Sequence, residues 1–208
     1  MFIYVFLLLY FVKGKKRERI LRVLLTHSDG SLYQFLVSKE AGCSQPWTHS
    51  FLKRLEKKNL IKENQILDIP ELFNYWLEIN EYPLYREYNI QNPLDLLKKT
   101  SLKYALTTYY AESLIQNYLF PSRVEIYIED KEAIAWHKLL TENGLVGKGN
   151  FRLFLEDNHI FYHNIKKEGI NIVSIPQLIL DLLREKGVAE EAGKMLMARE
   201  YHDLISKI

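Results

Sequence analysis

In KRERILRVLLTH, residues 16–27, Ile20, Leu21, Leu24 and Leu25 fall on one face of a helix, and the turn signal SDGS ends the pattern. Residues 31–41 repeat it with Leu32, Phe35, Leu36 and Val37, and AGCS breaks it again. Ser44 suits the N-cap of a third helix, with Gln45 and Pro46 in its first turn, where a missing N–H costs nothing. That helix runs to about Lys58, and Asn59 suits a left-handed C-cap. LIKENQILDI then alternates about the turn KENQ and predicts a two-stranded ribbon. Three short helices and a hairpin predict a winged helix-turn-helix over residues 14–69.

Residues 70–81, PELFNYWLEINE, predict an amphipathic connecting helix, and YPLYREYNIQNP marks a boundary or a strand entering a second domain over 82–208. The pattern there predicts a helix over 94–118, broken near 99–102, a strand over 123–129 and a helix over 130–142. After the glycine-bearing loop NGLVGKGN, a flexible turn by composition, come strands near 151–155, 159–164 and 170–173. Helices at 175–186 and 188–206, parted at Gly187, close the chain. The expected class is α+β: a winged helix followed by a mixed α/β domain.

Charge sharpens this picture. The chain carries +2 overall, but residues 13–62 hold 12 Lys+Arg against 4 Asp+Glu, and the rest is net acidic. A basic block so separated points to a polyanionic partner. The single cysteine, Cys43, excludes an internal disulfide and a Cys-based zinc site and fits a reducing, cytoplasmic setting, with the thiol as a small buried turn residue. The apolar start MFIYVFLLLYFV forms an extension over residues 1–13. As a helix its 12 apolar residues would reach about 18 Å against a hydrocarbon core of about 30 Å, too short to span. Its positive charges follow the apolar run, unlike a secretory signal. The readings left are a segment packed on a partner subunit, a membrane contact, or leader sequence from an upstream start codon.

A recognition helix buries one stripe and presents the other to the major groove. Thr48, Leu52 and Leu55, continued by Leu60 and Ile61, supply the buried stripe. Gln45, Trp47, His49, Ser50, Lys53 and Arg54 are then left outward. Gln pairs with adenine edges, Ser and His reach bases or phosphates, Lys53 and Arg54 neutralise the backbone, and Trp47 lies against a thymine methyl or sugar. Lys62 and Gln65 flank the wing turn, with Glu63 opposing them; Lys15, Lys16, Arg17 and Arg19 open the first helix as further backbone contacts. The alternative is a winged-helix protein-interaction adaptor without sequence-specific DNA binding, with Trp47 and Phe51 forming an apolar dimer patch.

YALTTYYAESLIQNYLFPSRVEIYI (104–128) and NIVSIPQLILDLLREKGVAEEAGKML (171–196) resemble the AbiEi-type antitoxin family, transcriptional regulators of type IV toxin–antitoxin systems. The more specific signal is the Ser-x-x-Gln-Leu-x-x-Asp-Leu helix beginning at Ser174, followed by a helix containing Glu-Glu-Ala. With the winged helix and PELFNYWLE, the resemblance covers about residues 16–200; KGVAEEA stands where GRGEEA is commoner, and the N-terminal extension is atypical. It implies a winged-helix regulator that represses its own operon, with a C-terminal domain for antitoxin action or cooperative assembly on DNA, and a neighbouring nucleotidyltransferase-type toxin that need not be bound directly. One recognition helix reads only a few base pairs, so binding to operator DNA as a homodimer or multimer is expected, and no cofactor is expected. By residue type alone, Ser174 caps the helix that Pro176 opens, Leu178, Leu182 and Leu183 face a core, and Asp181 with Arg184 form a surface pair.

Enzymatic readings are weaker. RVEIYIED resembles the acidic strand of a nucleotidyltransferase, with Glu125, Tyr127 and Glu129 on one face, but LFPS stands where a triphosphate-holding Gly-Ser is needed. That favours a degenerate, non-catalytic relative of the fold. On a strand, His159 and His163 would sit about 13 Å apart, beyond one ion. GLVGKGN carries Lys148 but lacks the Gly-Lys-Ser/Thr of a phosphate-binding loop.

Overall fold

The first three apolar patterns fold as α1 (Lys16–Thr26), α2 (Gln34–Glu40) and α3 (Gln45–Lys57) in a computed structural model that describes residues 15–205. The apolar N-terminal extension and the roles expected of it lie outside those residues. Ile20, Leu21, Leu24, Leu25, Val37, Phe51, Leu52 and Leu55 are all buried where the helices meet, each worth about 1.5–3 kcal/mol relative to full exposure. Ser44 is the N-cap of α3, but its hydroxyl makes no capping bond. At the other end Asn59 adopts φ 57°. Its N–H reaches the Glu56 carbonyl at 2.9 Å and the Leu60 N–H reaches Leu55 at 3.0 Å, which closes the helix in the left-handed manner expected.

The chain then forms the antiparallel ribbon β1 (Ile61–Lys62) and β2 (Gln65–Ile66). Glu63 and Asn64 at its tip have φ of 50° and 70°, the paired left-handed conformation of a tight two-residue hairpin. Asn64 donates to the Leu32 carbonyl, and a Cβ on Gly30 would stand 2.7 Å from Gln65 Cγ, so the loop before α2 seats the ribbon. α4 (Ile69–Ile79) follows, its first turn capped by Asp68, whose carboxylate accepts the Glu71 N–H at 2.9 Å.

The remainder builds a mixed sheet of seven strands in the spatial order β6-β3-β7-β5-β4-β9-β8. These are β3 (Tyr85–Ile90), β4 (Ala105–Thr107), β5 (Val124–Glu129), β6 (Gly144–Val146), β7 (Phe151–Glu156), β8 (Ile165–Lys167) and β9 (Ile170–Ile172). β5 pairs with β7, and β4 with β9, in parallel; the other pairings are antiparallel. Helices α5 (Pro93–Lys99), α6 (Thr108–Ile115), α7 (Ala133–Glu142), α8 (Ile175–Glu185), α9 (Val188–Glu200) and the short α10 (His202–Ile205) accompany it. The class is α+β, as expected.

Several local expectations fail. The helix expected over 94–118 is α5 and α6 with β4 between them, because Ala105, Leu106 and Thr107 are fully buried in the sheet interior, where a short apolar run carries no strand period. The strand expected at 159–164 is a 3₁₀ turn over Asn158–Phe161, opened by Asp157, which accepts the His159 N–H. NGLVGKGN contains the edge strand β6. Cys43 is half-buried in its turn rather than enclosed, and burial pushes its thiol pKa up.

Asp181 and Arg184 are not a surface pair. Asp181 is 1% exposed and accepts from Thr107 Oγ1 at 2.6 Å, Tyr127 OH at 3.0 Å and Gln177 Nε2 at 2.9 Å, with Arg184 at 3.4 Å. Burial pushes its carboxyl pKa up. Gln177 in turn binds Arg22 of α1, and the Tyr201 hydroxyl donates to the Leu25 carbonyl at 3.0 Å. One cluster of buried side chains therefore runs from the first helices into the sheet.

Candidate nucleic-acid interface

The apolar stripe of α3, with Phe51 added to Thr48, Leu52 and Leu55, fixes which residues face out. Gln45, His49, Ser50, Lys53 and Arg54 are exposed, and so are Lys57 and Lys58 at its C-terminal end. His49 Nδ1 lies 3.1 Å from Gln34 Oε1, so α2 orients the ring. Lys53 donates to Glu56 at 2.6 Å, and that contact lowers the Glu56 carboxyl pKa. Arg54 carries no ion pair among the described residues. Beside α3, the ribbon exposes Lys62 and Gln65 at the two sides of its turn, and the start of α1 exposes Lys16 and Arg17.

Three sequence expectations change. Trp47 does not stand free: it is half-buried, packed against the core and stacked on Phe51 with centroids 5.6 Å apart, while the Lys16 ammonium lies 6.0 Å from its ring. One helical turn separates the two aromatics, and their stacking tucks the indole against α1. Phe51 is 2% exposed and offers no dimer patch. Lys15 and Arg19 are engaged at the sheet, Lys15 with Glu156 and Arg19 with Asp157 at 2.9 Å, so part of the basic block is neutralised within the fold.

Sequence reasoning missed Gln34, which holds His49, and Lys57 and Lys58. The lysines were legible as a basic continuation one turn beyond Lys53 and Arg54 on α3. The Gln34 contact is tertiary and left no local signal.

The acidic strand is occupied by its own cations. Glu125 is fully buried; it accepts from Thr108, pairs with Arg123 at 2.6 Å and lies 3.1 Å from Arg152, while burial raises its pKa. Glu129 binds Lys103 at 3.1 Å and Lys131 at 2.6 Å. His159, in its 3₁₀ turn, faces Arg22. Among the described residues no group of three or more His, Cys, Asp or Glu is arranged to hold a metal ion, and no helix is long and apolar enough to cross a membrane. Comparison with known protein families, curated proteins and solved structures returned no match.

Proposed function

We propose that this chain is a sequence-specific double-stranded DNA-binding transcriptional regulator in which residues 14–69 act as a winged helix-turn-helix. The observation that carries the reading is the outward face of α3. Base-reading types (Gln45, His49, Ser50) stand beside Lys53, Lys57, Lys58 and Arg54, the last without an ion pair among the described residues, and Lys62, Gln65, Lys16 and Arg17 flank them. α3 would lie in the major groove, with the ribbon and the start of α1 on phosphates. The resemblance of residues 104–128 and 171–196 to AbiEi-type antitoxins extends the proposal to an autorepressing antitoxin acting opposite a nucleotidyltransferase-type toxin. The second half is then a degenerate, non-catalytic relative of that enzyme fold. The internal pairing of Glu125 and Glu129 supports a non-catalytic role, since two-metal chemistry needs free carboxylates.

The test is an anisotropy titration against the DNA upstream of the gene at two salt concentrations, with random duplex as competitor. Specific, salt-sensitive binding supports the regulator and makes a toxicity assay on the adjacent gene the next step. A protein-docking adaptor is the second reading, favoured by Tyr33 and Phe35, which are 80% and 55% exposed at the start of α2. No preference over random duplex would favour it.

A further inference from the structure

The stretch NGLVGKGN forms one margin of the sheet. β6 pairs only with β3, and among the described residues no strand covers its outer side. Two glycines press this segment inward: a Cβ on Gly144 would stand 2.2 Å from the Asn89 carbonyl oxygen, and one on Gly149 would stand 2.4 Å from that of Tyr88. Between them Leu145 is 73% exposed and Val146 47%. The Gly147 N–H bonds the Glu87 carbonyl at 3.0 Å. By the alternation of an antiparallel ladder, residues 145 and 147 face β3, and the N–H and C=O groups of Gly144 and Val146 point outward. An apolar edge of this kind is normally blunted by charge, proline or a bulge. From Asn143 to Gly147 the chain has neither charge nor proline.

We propose that β6 is where two copies of this chain join, edge to edge and antiparallel, into one continuous sheet. The sequence is complementary to itself. A two-fold axis at Leu145 sets Gly144 against Val146, with the same pair repeated on the other side. Glu142, which ends α7, and Lys148, just past β6, flank the strand with opposite charges, so the antiparallel arrangement brings the acidic end of one copy beside the basic end of the other. Glu142 and Lys148 are both exposed, and the present partner of Glu142 is Lys138 at the loose distance of 4.0 Å. The outward amide groups of Gly144 and Val146 then bond across the axis, and the two Leu145 side chains meet as a non-hydrogen-bonded pair with Cα atoms about 4.5 Å apart. This contact does not depend on DNA binding, so it is measured without DNA.

The full-length protein is followed by sedimentation equilibrium and light scattering. The expected result is a reversible dimer of the 24.7 kDa chain. Leu145→Lys abolishes it with an unchanged circular dichroism spectrum. Glu142→Lys or Lys148→Glu alone weakens it about tenfold, and the two together restore it. Leu145→Cys in a Cys43→Ser background tests the register: its Cα spacing lies within disulfide range, so mild copper–phenanthroline oxidation should link the copies. A wild-type monomer at every concentration overturns the proposal. So does a dimer that survives Leu145→Lys, a charge swap that fails to restore association, or a Leu145→Cys variant that does not cross-link.

Discussion

Arg22 of α1 and Gln177 of α8 are joined by two hydrogen bonds to one oxygen, from Nη2 at 2.7 Å and Nε at 3.1 Å, across 155 residues of sequence. Through Gln177 the contact continues to Asp181 and from there to Thr107 of β4 and Tyr127 of β5. The attitude of the first helix to the sheet is thus fixed by a buried polar chain. Such chains stabilise only when every member is satisfied.

Removing Arg22 leaves Gln177 and His159 short of a donor in a buried place. Arg22→Met is expected to lower unfolding free energy by about 2–4 kcal/mol. Arg22→Lys should recover little, because an ammonium cannot reach Gln177, His159 and the Trp76 ring, 5.7 Å away, from one planar group. Urea denaturation measures it; a loss below about 1 kcal/mol would mean the network relaxes around the gap.

A pH dependence follows from the same junction. His159 Nδ1 lies 2.8 Å from Arg22 Nη1 and Nε2 lies 3.2 Å from the Glu40 carbonyl, so the neutral ring accepts at one nitrogen and donates at the other. Burial first, and the Arg22 charge second, push its pKa down from 6.5 to about 3. Between those values the unfolded chain binds a proton that the folded one refuses. Stability from this group is complete above about pH 6.5 and falls toward pH 3. Glu125, Glu156 and Asp181 have raised pKa values and act in the opposite sense. The measure is therefore the difference between wild type and His159→Gln, whose amide keeps both bonds. The urea midpoint of wild type should fall relative to the variant from pH 7 to pH 4.5, and parallel curves would refute the assignment.

The helices of the first 69 residues were legible because each carries an apolar stripe, a turn signal and a terminator such as Asn59, all local. The outward residues of α3 follow from the same stripe, Trp47 excepted, since stacking on Phe51 is not written in the period. The second half was harder. β4 is three buried residues, β6 is three residues opening on Gly144 and followed by Gly147, and both are strands only because a neighbour pairs with them. Asp181 and Arg184 looked like a surface pair because i,i+3 spacing is read as solvent-facing until the helix is known to have a second buried face. The cations of α1 looked free because their partners Glu156 and Asp157 lie about 140 residues away.

The hairpin tip offers a stabilising change. Glu63 holds φ 50°, a conformation that costs a glutamate more than an asparagine, while Asn64 is needed for its bond to Leu32. Glu63→Asn is expected to raise stability by about 0.5–1 kcal/mol. It also removes the one negative charge between Lys62 and Gln65. Thermal unfolding tests the first effect and duplex affinity the second, so the two are read separately.

Along α3 the structure separates residues that the sequence treated alike. Lys53 is engaged with Glu56 whereas Arg54 is not, among the described residues. An exposed pair of this kind is worth only about 0–1 kcal/mol, yet it must be loosened before Lys53 meets a phosphate. Arg54→Ala should weaken binding to every duplex and reduce the slope of log affinity against log salt by about one. Lys53→Ala should cost less, and Glu56→Gln should strengthen binding by freeing Lys53. Gln45→Ala and His49→Ala should instead shift the preferred sequence with the salt slope unchanged. Gln34→Ala should mimic His49→Ala, since Gln34 holds that ring. Anisotropy titrations over a salt series, on specific and random duplexes, resolve these classes; equal effects from Arg54→Ala and His49→Ala would remove α3 from the groove.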